Sequence, residues 1–247
     1  MLIRALGLAL LTALPAAAQD REVDLELVLM ADSSGSITMD EIRFQRAGYA
    51  AALRDPEVVA AIAGTAYGSV ALTYVEWGQF DSQDVVVPWM VIDGPESAET
   101  FAAALMEAPR RARGRNAIGA ALMFGRALIE ENDIAGWRRI IDFSADSTGN
   151  FNGPSIAEGR AAALAAGITI NGLAVACRDC VTSWDGETGG GWGGNAGLAD
   201  QFRERIIGGP GAFVVTAETR ATFAEAVKRK LILEISGLHA GRRIAAE

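Results

Sequence analysis

Lysine is almost missing from this sequence: two occur in 247 residues, Lys228 and Lys230, both close to the C-terminus. No Gly-Lys phosphate loop can be written without one, and mechanisms that need a lysine earlier in the chain fail. Histidine is scarcer still. Its one instance, His239, lies in the polar stretch GLHAGRR, and a Ser-His triad or a zinc site would require that stretch to fold back. There is no G-x-S-x-G, which removes the usual serine-hydrolase nucleophile. Long hydrophobic runs are missing too, apart from ALGLALLTAL at residues 5–14, which is too short to span a bilayer. Arg4 before it and the small residues AAA at 16–18 after it give the pattern of a signal peptide over residues 1–18, so the mature chain is expected to begin near Gln19, to be exported to the periplasm or beyond the cell, and to carry no membrane span.

Basic residues are outnumbered, 22 Lys and Arg against 31 Asp and Glu, for a net charge of -9 that becomes more negative once Arg4 is removed. Such a chain repels nucleic acid and anionic headgroups, so neither is an expected partner. Half of the residues are hydrophobic, which is enough for an ordinary folded core.

Apolar runs alternate with helix-periodic ones. Strands are predicted at residues 23–31, 69–77, 84–92, 138–145, 168–175 and 211–217. Helices are predicted at about 40–53, directly after Asp55 and Pro56, at 96–107, 117–131, 155–166 and 198–206, and from 218 to 235. The starts are marked locally: Thr38 with Glu41 and Ser155 with Glu158 form capping boxes, and Asp55 precedes Pro56 at a first helical position. The short GQFDSQ connection makes the second and third strands an antiparallel hairpin, and Pro88 puts the third at an edge. The fold class is therefore α/β: a doubly wound, mostly parallel six-stranded sheet with one antiparallel edge strand and helices on both faces.

In such sheets ligands bind beyond the strand C-termini, where the winding reverses. Three loops bring conspicuous oxygens to that edge: Asp32, Ser34 and Ser36 after the first strand, Asn116 beside Arg115, and Asp146 with Ser147 after IIDFSA. The alternate spacing of D-x-S-x-S turns its three side chains to a common side. Thr38 already caps the helix, which leaves these oxygens without a structural task. Hard carboxylate and hydroxyl oxygens suit Mg²⁺, with Mn²⁺ or Ca²⁺ as competitors.

DSSGS ending the first apolar strand, with an aspartate ending a later one, resembles the metal-ion-dependent adhesion site (MIDAS) of von Willebrand factor type A (vWA) domains and of the integrin I domains that share their fold. The resemblance covers residues 23–235, within an expected domain of residues 19–237 followed by a tail, 238–247. YVEW, TINGL and IIGGPGAFV are similar to a narrower group, exported bacterial vWA-like proteins that carry a domain-of-unknown-function label. The resemblance implies that Ser34 and Ser36 bind the cation directly, that Asp32 holds the serines and metal-bound water, and that Asp146 contacts the ion through water. Asn116 stands where the family usually has a threonine, and Ser147 where it often has a glycine. It further implies a non-catalytic adhesion or scaffold module that captures an Asp or Glu of a protein partner.

Rival readings are weaker. A metal-dependent hydrolase or phosphotransferase of the haloacid-dehalogenase type needs a second aspartate where Ser34 stands, and an earlier lysine. Cys177 and Cys180 form a C-x-x-C that a periplasmic thiol-disulfide protein could use, but it follows a late strand and enters a Gly-rich loop, where a structural disulfide is favoured. Trp184 and Trp192 in that loop are either a binding lip or packing for the loop itself. Trp77 and Trp89 read as sheet-packing residues, and the arginine run at 110–115 reads as solvated surface rather than a steering patch.

Overall fold

The run VDLELVLMA forms the middle of strand β1 (Arg21–Asp32). It is apolar on both faces because both are covered. Leu25, Leu27, Leu29 and Ala31 enter one core and Val28 and Met30 the other, as expected of a central strand in a parallel sheet. The structure is a computed structural model that describes residues 21–176 and 197–237. After β1 come α1 (Met39–Arg54), α2 (Pro56–Ala63), β2 (Val70–Trp77), β3 (Gln83–Ile92), α3 (Pro95–Glu107) and α4 (Ile118–Glu130). They are followed by β4 (Ile134–Ala145), α5 (Ile156–Ala165), β5 (Thr169–Val175), α6 (Leu198–Arg205), β6 (Val214–Ala217) and α7 (Phe223–Ser236).

The sheet order is β3-β2-β1-β4-β5-β6. All neighbours are parallel except β2 and β3. Pro88 is exposed on the edge strand β3, and the β2–β3 register slips beside it, between Leu72 and Tyr74. Winding runs outward from β1 through β2 on one side and from β4 through β5 and β6 on the other, so the reversal lies between the C-terminal ends of β1 and β4. One core packs α1, α2, α3 and α7 against the sheet, and the other packs α4, α5 and α6. Trp77 is fully buried and stacks on Phe143, and the indole of Trp89 donates to the Leu128 carbonyl, so both tryptophans pack the sheet.

The helix starts behave as their capping residues require. Thr38 and Ser155 close complete capping boxes, and Asp55 caps α2 ahead of Pro56. Helix α4 has no side-chain cap of its own; Asn150, from the loop after β4, accepts the Gly119 N–H at 3.0 Å. At Gly119 the chain also passes so close to Pro154 and Ser155 that a Cβ would strike their carbonyls, and Gly159 of α5 packs on Gly119 itself. The loop that follows β4 is thus pressed against the start of α4.

Three boundaries differ from the sequence reading. β4 begins at Ile134, not 138, because its N-terminal part pairs with the start of β1, Arg21 opposite Ile134. β6 is confined to Val214–Ala217, since Gly209 and Gly211 adopt left-handed backbone just before it. α7 starts at Phe223 rather than 218. The Thr219 and Thr222 side chains bond each other and the local backbone, an arrangement that competes with helix.

Candidate functional site

The C-terminal edge between β1 and β4 gathers the residues that the sequence singled out. Asp32 ends β1, is 2% exposed, and has both oxygens engaged: Oδ1 accepts the Ser34 N–H at 2.8 Å and Oδ2 the Asn116 amide at 3.0 Å. Ser34 Oγ, buried, lies 3.3 Å from Ser36 Oγ, whose residue is exposed. The hydroxyls therefore lead from the buried floor to the solvent. Asp146 follows β4 directly, and its Oδ1 is buried with no hydrogen-bond partner. Asn116, which stands where vWA domains usually have a threonine, joins the cup through its amide nitrogen, which donates to Asp32.

The electrostatics follow from burial. Desolvation is the main reason that the Asp146 carboxyl is pushed up to about 9, with repulsion from Asp32 and then Glu41 adding to it. Asp32 is pushed up to about 6 by desolvation, against hydrogen bonds from Ser34 and Asn116 and the nearby Arg110 charge. Two buried carboxylates that repel each other, one with an unsatisfied oxygen, make a place where a positive charge is stabilised. Among the described residues no three His, Cys, Asp or Glu side chains are grouped to hold a metal. A cation here would therefore depend on hydroxyl and water oxygens beside the two aspartates, a donor set that fits a hard divalent ion.

A model of the family described as "Protein of unknown function (DUF1194)" matches residues 22–239. The chain belongs to the DUF1194 family. No curated protein matches it. Among solved structures, the DUF1194 chain is similar to proximal thread matrix protein 1 of the mussel byssus with a zinc-occupied MIDAS motif, with a TM-score of 0.58 and 14% identity over 89% of this chain and 50% of that one. A von Willebrand factor type A protein from Catenulispora acidiphila gives 0.55 and 14% over 87% and 43%. An aerotolerance-related membrane protein from Bacteroides fragilis gives 0.52 and 15% over 84% and 98%. The chain thus spans about half the length of the byssus protein. At these identities the likeness establishes the fold, which is vWA-like.

Around the DUF1194 cup stand residues whose part in it was not legible from spacing or motif. Arg110 is a clamp on the serine loop: Nε donates to Ser33 Oγ at 3.1 Å, Nη1 to the Ile37 carbonyl at 2.8 Å, and Nη2 to the Ser33 and Ser34 carbonyls at 2.7 and 2.9 Å. This corrects the reading of the arginine run as solvated surface at its first member; Arg111, Arg113 and Arg115 are exposed as expected. Arg46 holds the base of the same run. It pairs with Glu76 at 2.7 Å inside the core and donates to the carbonyls of Ala108 and Pro109. Gln45 donates to the main-chain oxygen of Asp32 at 3.3 Å. The nearest thing to a signal for Arg110 was a basic cluster beside Pro109 in a lysine-poor chain. Cys177, Cys180, Trp184, Trp192, His239 and residues 1–18 lie outside the described residues.

Proposed function

We propose that this protein is an exported, non-catalytic binding module that recognises a protein partner through a divalent cation held at the β1–β4 edge. Asp32, Ser34, Ser36, Asn116 and Asp146 would hold the ion, Mg²⁺ before Mn²⁺ or Ca²⁺. When bound, the ion supplies a localised positive charge that an Asp or Glu side chain of the partner can meet in a charge-assisted contact. The observation that carries the reading is the buried, partnerless Asp146 Oδ1 beside Asp32 and the paired serine hydroxyls. The vWA-like fold supports it, as does the zinc in the MIDAS motif of the byssus protein.

The chain's own groups do the positioning. Asp32 orients the serine loop through the Ser34 N–H, Asn116 fixes Asp32, and Arg110 keeps the loop carbonyls occupied. The test is a thermal melt after chelation and titration with Mg²⁺ or Mn²⁺. A ligand that binds only the folded state must raise Tm progressively with concentration, and Asp32→Ala and Asp146→Ala should lose that rise. Equal shifts in wild type and Asp32→Ala would sink the reading.

A further inference from the structure

Among the described residues six large apolar side chains are exposed, and three of them, Met39, Phe80 and Phe151, belong to the cup's surroundings. Met39 opens α1 just after the serine loop, Phe80 follows β2, and Phe151 follows β4. The two phenyls keep 54% and 55% of their surface in water, yet both are held by backbone bonds. Phe151 N–H donates to the carbonyl of Asn116, itself a member of the cup, at 2.8 Å, so the Phe151 backbone is tied directly to the site. Phe80 N–H donates to Asn152 Oδ1 at 3.2 Å, and Phe80 lies over Gly153, where left-handed backbone and the Phe80 side chain leave no room for a Cβ. The neighbouring strands of chain are tied as well, Gln79 N–H to the Arg113 carbonyl at 2.9 Å and Gly35 N–H to the Gly114 carbonyl at 2.7 Å.

Phe80 thus stands against residues 152–153, next in the chain to Phe151, and the two form a ledge of apolar surface on backbone tied at several points, which lowers the ordering cost on binding. Arginines stand beside it, with Asp81 next to Phe80 as an exposed acid on its other side. Arg115 lies over the Phe151 ring at 3.9 Å, and Arg111 and Arg113 are exposed beside it in a chain of net charge -9. Among the described residues neither Arg113 nor Arg115 makes an ion pair, and Arg111 approaches Asp84 only at 3.6 Å. The Arg113 and Arg115 guanidiniums, free of ion pairs among the described residues, give a partner carboxylate a local attraction there.

We propose that the Phe80–Phe151 ledge with Arg115 is a docking surface for a protein segment that carries an Asp or Glu beside an aromatic or aliphatic side chain. The carboxylate addresses the cup and Arg115, and the apolar neighbour covers the phenyls. This rests on the cation-dependent reading above and adds to it which segments are accepted.

The test is selection of a random-peptide display library on the full chain in Mg²⁺, followed by fluorescence anisotropy of the selected peptides. Selected peptides should pair an acidic residue with an apolar one within about three positions, the reach of a short extended segment. The double variant Phe80→Ala/Phe151→Ala should bind them roughly tenfold or more weakly, as expected for the loss of two buried rings, while its Mg²⁺-dependent rise in Tm stays that of wild type. Arg115→Gln should weaken binding with a reduced salt dependence. Acidic peptides without an apolar preference, no enrichment at all, or undiminished binding by the double variant would overturn the ledge and leave the cation reading standing. A wild-type melt unmoved by Mg²⁺ would remove the cation reading itself. A Mg²⁺-dependent dimer in sedimentation, lost in the double variant, would assign the ledge to a second copy and overturn the proposal.

Discussion

Arg110 and Asp32 stand 78 positions apart, yet the geometry of one depends on the other. The serine loop and Ile37 after it present three carbonyls to one side chain, and a guanidinium with its planar fork of donors is able to satisfy all three at once. Arg110→Ala would leave the Ser33, Ser34 and Ile37 carbonyls to part-buried surroundings. Each lost charge-assisted bond is worth about 1.5–3 kcal/mol before relaxation and rehydration, so the expected net loss is on the order of 3 kcal/mol. Arg110→Lys should recover only part, because an ammonium restores charge but not the fork. Urea unfolding in chelator measures this, and the Mg²⁺ concentration needed for half the Tm rise should increase in both variants. Unchanged values for Arg110→Ala in both measurements would show that the clamp does nothing. The ligand candidates were legible because residue type and spacing are local properties: Asp32, Ser34 and Ser36 sit in one turn, and Asp146 ends a recognisable strand. Arg110 was not, since its partners are 73 to 77 residues away and nothing near it in sequence announces a carbonyl in need of a donor.

Helices α4 and α5 meet through glycines, and the meeting point decides where the Asp146 loop lies. A methyl group at Gly119 would collide with backbone, the Pro154 and Ser155 carbonyls, which cannot swing aside as a side chain end can. Gly119→Ala is therefore expected to destabilise by about 1–3 kcal/mol, the usual range for overpacking, even though alanine is the better helix former. By pushing residues 146–155 outward it should also weaken the Mg²⁺ response, and the two effects are read from one set of melts with and without the ion. A stabilised Gly119→Ala protein would refute the close approach. Element existence was readable throughout, because capping boxes at Thr38 and Ser155 and the continuous apolar run of β1 are written in neighbouring residues. The antiparallel edge was readable for the same reason, from a short turn and Pro88. What stayed hidden was set at a distance: the early start of β4 depends on its pairing with β1, and the cap of α4 comes from Asn150 in another loop. The late start of α7 was local, but it turned on a contest between threonine side chains and the helix that periodicity does not register.

Across the whole molecule the sheet keeps the carboxylate cup at the β1–β4 edge apart from a second charged cluster sealed under α7. Lys230 is fully buried and lies 2.7 Å from Asp142 Oδ1 on β4 and 2.5 Å from Glu234 Oε1 one helical turn on. Asn171 donates to the same Glu234 oxygen, and the Arg138 guanidinium caps the carbonyls of Glu234 and Ile235 at the end of the helix. Two carboxylates share one ammonium out of water while the Arg138 guanidinium is turned to main-chain carbonyls, so one carboxylate charge is left without a contact partner of its own. Burial first, and repulsion from Asp142 second, push the Glu234 carboxyl up to about 7 from an ordinary 4.5. Asp142 is raised in the same direction, chiefly by burial. A carboxyl whose folded pKa lies above its unfolded one favours folding most when protonated. Its stabilising contribution is complete below about pH 4.5 and is lost as pH rises through about 7. The unfolding free energy in chelator should accordingly fall between about pH 5 and about pH 8, with Glu234 alone contributing on the order of 2 kcal/mol. Asp32 and Asp146 act with the same sign, so the Glu234 share is isolated by comparison with Glu234→Gln, which keeps the shape and removes the titration. That variant should show a shallower slope, and it should be relatively more stable than wild type at the alkaline end than at the acid end. Parallel pH profiles for the two proteins would mean that the excess charge under α7 is neutralised by another group, and the account of this helix as held by a half-protonated carboxylate pair would have to be abandoned.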